Sequence, residues 1–282
     1  MSASIVTSPT TTAATPVEAQ RVSVGDIWCT LLALLQRDAV VTARQFHTSI
    51  VLLLIQPALL LLALGRIQEY THTLPASFVL VLMPGILGAI MVTVGIQSVT
   101  MPLVVEFGFS REIEDRLLAP IPVWLVGFEK VLVGTIKSLI CCALYFPIAW
   151  VVLGPDLYHV NLTQPWLFIA AALLTGVIMS SLGLLLGSAV KSTQMNVLFA
   201  VLLVPMSFLG CVYFPWPSLS SAPVLQYLTL IDPQTYISEA LRGTMAPDLP
   251  HMGFGWIFAA LVGWATILTL LSMRAFVRKT VH

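Results

Sequence analysis

Long hydrophobic runs separated by short polar stretches dominate the chain. A helix of about 20 apolar residues can cross a bilayer. Six segments are predicted to do so, at about residues 48–65, 76–100, 128–153, 165–190, 195–215 and 254–273. Pro57 is expected to kink the first, and Pro84-Gly85 to break the helical ladder of the second. The pattern predicts an all-α membrane protein with six transmembrane helices.

Close helix packing is expected in the fourth span, which carries small residues at helical spacing. They are Gly176, Ser180, Gly183 and Gly187. Small side chains let the backbones of membrane helices approach each other.

Composition supports a membrane protein and excludes several other classes. The 282 residues are 58% hydrophobic and 9% charged, whereas soluble domains carry about 25% charged residues. The formal net charge is +0, so no bulk attraction to nucleic acid is indicated. The four cysteines lack metal-ligand or CxxC spacing and are interpreted as packing residues.

The basic residues predict the orientation in the membrane. Six spans place both termini on one side, and ten Lys or Arg residues fall on that side. They are Arg21, Arg37, Arg44, Arg111, Arg116, Lys130, Lys191, Arg274, Arg278 and Lys279. The opposite side has only Arg66 and Arg242. Because cytoplasmic loops are rich in Lys and Arg, both termini are predicted to be cytoplasmic.

The chain before the first span contains two segments that do not cross the membrane. Residues 1–20 are rich in Ser, Thr, Ala and Pro and lack Lys and Arg, which predicts a disordered tail. Residues 23–45 form an amphipathic pattern, with Trp28 on the apolar stripe and Asp26 and Arg37 opposite. We expect this helix to lie in the headgroup plane; an ordinary soluble helix is the alternative.

The densest charge cluster, residues 106–122, lies between the second and third spans. Ser110 can cap a short helix that ends before Pro120, with Ile113 and Leu117 on one face. The charged residues of the 106–122 stretch are Glu106, Arg111, Glu112, Glu114, Asp115 and Arg116. Such a helix could dock onto a soluble partner, and a solvated connecting loop is the alternative.

Residues 216–250 are too interrupted to span a bilayer. Val224, Leu228 and Ile231 recur at helical spacing before the Asp232-Pro233 turn, and a second apolar stripe includes Tyr236. Two short amphipathic helices dipping into the outer leaflet are predicted, with a plain outer loop as the alternative. Glu239 precedes Arg242 by one turn and could form an ion pair with it.

Catalytic motifs do not stand out in the sequence. GSAVKST at 187–193 has Val190 where a phosphate-binding loop requires Gly, so this chain is not expected to hydrolyse ATP by itself. Lys137 either extends towards the cytoplasmic edge or contributes to a pathway or ion pair. An enzyme or scaffold that acts without ATP is the hypothesis of another class, but it would need polar residues clustered at one depth.

Three parts of the chain resemble the permease subunits of type-2 ATP-binding-cassette exporters, closest to the drug, lipid and nodulation-factor branch. These parts are the amphipathic helix at 23–45, EIEDRLLAPIP at 112–122, and FLGCVYFPWPSLSSAPVLQYLTLIDPQTYISEALRG at 208–243. In the last, Phe214-Pro215, Asp232-Pro233, Tyr236 and the sequence from Glu239 to Arg242 match the family pattern in order and spacing. Asp232 is commonly Asn in the family, and Ile113 and Asp115 replace Gly-Thr.

The resemblance implies a role for each part. Residues 110–118 would be the coupling helix seated in a cytoplasmic ATPase dimer that holds ATP and Mg, while this chain binds no cofactor. Residues 23–45 would be the interface helix, and 216–250 a re-entrant hairpin at the outer exit. A second permease copy or sibling would complete the pathway in a bacterial plasma membrane. Polysaccharide export is the alternative within transport.

Overall fold

The computed structural model describes residues 36, 55–67, 77–107, 122–155, 157–158, 162, 164–190 and 194–281. All regular structure within these residues is helical. Residues 55–67 form α1, which ends in a π-helical segment at Leu62–Ile67. The other α-helices are α2 (Ser77–Val105), α3 (Val123–Leu153), α4 (Pro165–Ala189), α5 (Met195–Leu209), α6 (Pro223–Thr229), α7 (Pro233–Met245) and α8 (Phe254–Val281). A 3₁₀-helix, Trp216–Ser221, precedes α6.

Among the described residues, four helices are long and apolar enough to cross a membrane, and they confirm a multi-pass membrane protein. They are Phe78–Val105, Val123–Leu153, Pro165–Ala189 and Phe254–Thr280. They lie at the predicted second, third, fourth and sixth spans. Two shorter apolar helices, Ile55–Gly65 and Val197–Leu209, lie at the predicted first and fifth spans. Six complete crossings therefore stay a prediction.

The helix ends differ from the predicted spans because an apolar run marks only the part of a helix that suits lipid. The last helix continues past residue 273 through Arg274, Arg278 and Lys279 to Val281. The fifth helix ends at Leu209 instead of residue 215, since Gly210 caps it and Cys211 adopts a φ of 52°.

Helix α2 lies at the centre of the bundle and packs against α3, α4 and α7. Helix α2 continues through Pro84-Gly85, where the sequence predicted an interruption of the hydrogen-bond ladder, and Pro102 also lies inside it. A proline removes one backbone hydrogen bond. The buried packing of α2, which includes Leu82, Met83 and Leu87, holds the helix together across that loss.

The predicted close packing of the fourth span is confirmed at Gly183. A Cβ atom there would lie 2.6 Å from the carbonyl oxygen of Ile96 on α2. Thr100 Oγ1 donates a hydrogen bond to the Gly183 carbonyl at 2.9 Å. Helices α2 and α4 are thus in backbone contact over this region.

Candidate functional site

The hairpin between α5 and α8 includes α7, a short helix that carries a group of buried polar side chains. Helix α7 packs against α2, α4, α5 and α8. Because of this packing, its polar side chains are buried. Each of the following is at most 2% exposed: Gln234, Thr235, Ser238, Glu239, Arg242 and Thr244. Two short helices, α6 and α7, lie where the sequence predicted them; that they dip into the outer leaflet stays a prediction.

The start of α7 is set by the Asp232-Pro233 pair. Asp232 is the N-cap, and its Oδ1 accepts a hydrogen bond from the Gln234 N–H at 2.9 Å. Pro233 occupies the first turn, where its missing N–H costs nothing. Burial raises the pKa of the Asp232 carboxyl from 3.8 to about 7, while the Gln234 hydrogen bond opposes that rise.

The predicted ion pair between Glu239 and Arg242 is confirmed, and neither side chain is exposed to solvent. Glu239 also accepts two backbone hydrogen bonds. Its Oε1 receives the Trp216 N–H at 2.9 Å, and its Oε2 receives the Met252 N–H at 3.0 Å. One carboxylate therefore joins the start of the 3₁₀-helix to the segment that leads into α8.

Arg242 extends the same network to the end of α5. Its Nη2 donates to the Cys211 carbonyl at 2.8 Å. The left-handed φ of Cys211 is uncommon for a residue with a side chain, and this hydrogen bond helps to hold it. The next carbonyl, of Val212, lies so close to α2 that a Cβ atom at Gly85 would be 1.9 Å from it.

Other predicted hairpin residues surround this network. Phe214 and Pro215 are half-buried and lead into the 3₁₀-helix, with Pro215 as its N-cap. Tyr236 is buried and donates from its hydroxyl to the Leu230 carbonyl at 3.1 Å. The structure therefore brings all seven predicted hairpin residues into one compact segment.

The chemistry of this arrangement is structural. A backbone polar group that is buried away from water needs an internal partner, and irregular segments lack the partners that a helix provides. Glu239 and Arg242 supply them to Trp216, Met252 and Cys211. Within the described part of the chain, no group of His, Cys, Asp and Glu residues could hold a metal ion.

A second buried ion pair was not anticipated from the sequence. Lys130 Nζ of α3 donates to Glu106 Oε1, just after α2, at 2.7 Å. The sequence did contain a signal for this pair, since it places opposite charges near the adjacent ends of two consecutive antiparallel helices. Lys137, the intramembrane residue singled out by the sequence, is half-buried and has an interaction partner.

Several predicted functional residues lie outside the described residues. They are the tail 1–20, Asp26, Trp28 and Arg37 of the amphipathic helix, and Ser110, Arg111, Glu112, Ile113, Glu114, Asp115, Arg116 and Leu117 of the charged stretch. Their roles stay predictions.

Comparison with protein families shows a match over most of the chain. The family model of the ABC-2 type transporter covers residues 30–246, which include the charged stretch, α2 to α7 and the Glu239–Arg242 pair. Comparison with curated proteins finds no match.

Proposed function

Because the chain belongs to the ABC-2 type transporter family, and is thus a transmembrane permease of an ABC transporter, we propose that it is the permease of an ATP-driven exporter. It moves a hydrophobic or amphipathic substrate, such as a drug, lipid or natural product, out of the cytoplasm or the inner leaflet. The observation that carries this proposal is the family match across the charged stretch and the outer hairpin together.

An apolar route for the cargo is supported by the surface of α5. Four apolar side chains on this helix are more than half exposed and recur at helical spacing: Val197, Val201, Val204 and Phe208. A stripe without charge suits the acyl or aromatic part of an amphipathic molecule. In the proposed transporter, this stripe faces a second permease, either a copy of this chain or a sibling.

Energy for transport comes from a separate subunit in this proposal. Family permeases generally work with a partner ATPase. The helix at 110–118 seats in a cytoplasmic ATPase dimer, which holds ATP and Mg²⁺. The amphipathic helix at 23–45 supports it from the membrane surface, and both termini are cytoplasmic in a bacterial plasma membrane.

The outer hairpin is proposed to form the exit side of the pathway. Helix α6 and the turn that follows it expose apolar side chains, including Val224 at 85% and Ile231 at 68%, whereas α7 is buried in the bundle. A hairpin with one anchored helix and one apolar exposed helix is suited to sit in the outer leaflet as a re-entrant element.

Co-purification tests the proposal directly. Tagged full-length chain is extracted from its native membrane in mild detergents, and the bound proteins are identified. We expect a stoichiometric ATPase with a Gly-rich phosphate loop. A chain that purifies without an ATPase in several detergents would overturn the proposal and favour the standalone hypothesis.

The coupling role is tested by charge reversal in the stretch. The double variant E112K/D115K is expected to lose the ATPase while the bundle stays folded, because both carboxylates lie on the proposed docking helix. The control E69K changes the same charge in the loop predicted to lie on the opposite side, and it should keep the ATPase. Unchanged association in E112K/D115K would rule out this docking site.

A further inference from the structure

The inner ends of α2 and α3 are joined by a buried ion pair. Glu106 Oε1 and Lys130 Nζ are 2.7 Å apart, and their side chains are only 10% and 5% exposed. Removing two charges from water is expensive, and an apolar pair of similar volume is often at least as stable. Stability alone therefore does not explain a buried ion pair at this position. An alternative explanation is that the pair fixes the position of α2 relative to α3.

The position of the pair in the chain is informative. Glu106 immediately follows α2 and Lys130 lies in the first turns of α3, so the pair joins the two helix ends between which residues 108–121 lie in the sequence. These are the residues proposed to contact the ATPase. Any displacement of that stretch reaches the bundle through the two helix ends that the pair connects.

A separate hydrophobic cluster surrounds this end of the bundle. It consists of Val99, Leu103, Val126, Val131, Leu184 and Phe276, which come from α2, α3, α4 and α8. Lys279 of α8 lies 4.4 Å from the centroid of the Phe107 ring and donates to the Gly187 carbonyl of α4 at 3.2 Å. The ion pair therefore lies at an end of the bundle where side chains from four helices pack together; we call this end the base.

The contacts above this base continue towards the outer side. Thr100 of α2 is hydrogen-bonded to Gly183 of α4, and α2 then packs on α7, where a Cβ atom at Gly88 would lie 3.4 Å from Ile237. A movement of the inner end of α2 as a rigid body would thus reach the hairpin without crossing a flexible segment.

We propose that the Glu106–Lys130 ion pair makes α2 and α3 move as one unit, so that a displacement imposed between them shifts the bundle instead of separating the two helix ends. The two residues are positioning residues for coupling. This inference rests on the proposed function, since the displacement is attributed to an ATPase.

A distance measurement between the two helices tests the proposal. Spin labels are placed at M101C on α2 and W124C on α3, two positions that are 42% and 52% exposed. Cys29 is replaced by Ser, and labelled chains are diluted with unlabelled chains so that only distances within one chain are read. The distribution is recorded for the co-purified complex without nucleotide and after trapping with ATP and vanadate.

The wild-type pair should give a narrow distribution that is the same in both states. K130M should lose the narrow peak, and the loss should be larger with ATP and vanadate, which a purely structural defect would not produce. E106K/K130E, which reverses the pair, should restore the narrow peak. K137M removes the same charge from a half-buried site on α3 and should behave like wild type.

Three results would overturn the proposal: a narrow distribution in K130M in both states, an equal broadening in K137M, or a folded E106K/K130E variant that stays as broad as K130M. The arm without nucleotide needs no ATPase, so it can be run on the chain alone. The absence of a co-purifying ATPase would therefore refute the proposed function while leaving the helix-to-helix connection open to measurement.

Discussion

Two buried ion pairs lie in the described part of the bundle, and they connect different kinds of structure. The hairpin pair, Glu239 and Arg242, lies within one helix and bonds mostly to backbone groups of three connecting segments. The helix-end pair, Glu106 and Lys130, joins two long helices side chain to side chain. The comparison teaches that the same chemistry can satisfy irregular backbone in one place and fix the relative position of two helices in another.

This difference predicts unequal consequences when the pairs are broken. R242M leaves the unexposed Glu239 carboxylate without its cation and removes the hydrogen bond to Cys211. Breaking a buried pair on one side costs about 3–5 kcal/mol, so we expect the largest destabilisation here. Thermal unfolding of the detergent-solubilised protein measures it. T266A, an exposed site on α8, is the control, and an unchanged Tm in R242M would contradict the assignment.

Neutralising both members of each pair should sharpen the comparison. E106Q/K130M removes both charges, and because the desolvation cost disappears with them, the change in stability should be within about 1 kcal/mol. E239L/R242M leaves the N–H groups of Trp216 and Met252 and the Cys211 carbonyl without partners. Each unsatisfied group costs about 1–3 kcal/mol, so this variant should remain clearly destabilised. Equal Tm values for the two double variants would show that hydrogen bonds from Glu239 and Arg242 to backbone groups do not stabilise the fold.

The close approach of α2 to Val212, beside the network of Glu239 and Arg242, can be tested by adding one methyl group. G85A places a Cβ atom 1.9 Å from the Val212 carbonyl oxygen, and this atom is backbone that cannot rotate away. Overpacking of this kind costs about 1–3 kcal/mol. G88A, one turn further along, meets only ordinary contacts from 3.4 Å outwards. We expect a lower Tm for G85A and an unchanged or slightly higher one for G88A; the reverse order would contradict this packing.

A further expected effect is a pH dependence at Asp232. Its folded pKa is raised from 3.8 to about 7 by burial, so the carboxyl favours the folded state when protonated. That contribution is complete below pH 3.8 and is lost as the pH rises through 7. D232N keeps the capping oxygen without the charge. Its Tm should therefore exceed that of wild type at pH 8 and approach it at pH 5, and a pH-independent difference would refute the shift.

Much of the fold could be predicted from the sequence because lipid imposes a simple rule on composition. A helix that crosses a bilayer needs a long apolar run, and four of the predicted runs are helices of sufficient length. The Asp232-Pro233 turn and the spacing of Glu239 and Arg242 likewise act over a few residues, so local pattern was enough to predict a turn, a short helix after it and the ion pair.

Contacts between distant residues could not be predicted in this way. Glu106 and Lys130 are 24 positions apart, and nothing in their spacing identifies them as partners until α2 and α3 are packed against each other. The requirement for glycine at position 85 could not be predicted either, because it arises from the Val212 carbonyl, whose position depends on where the chain turns after α5. The uninterrupted course of α2 through Pro84 depends on neighbours that hold both sides of the proline.

The sequence by itself determined that the chain is a helical membrane protein of the ABC-2 type, because hydrophobicity, turn residues and motif order are local properties. Only the tertiary structure decided what the buried charges do. The energy of a charge depends on the polar atoms within a few ångströms of it, and those atoms, such as the N–H groups of Trp216 and Met252, are brought to Glu239 by the packing of the whole bundle.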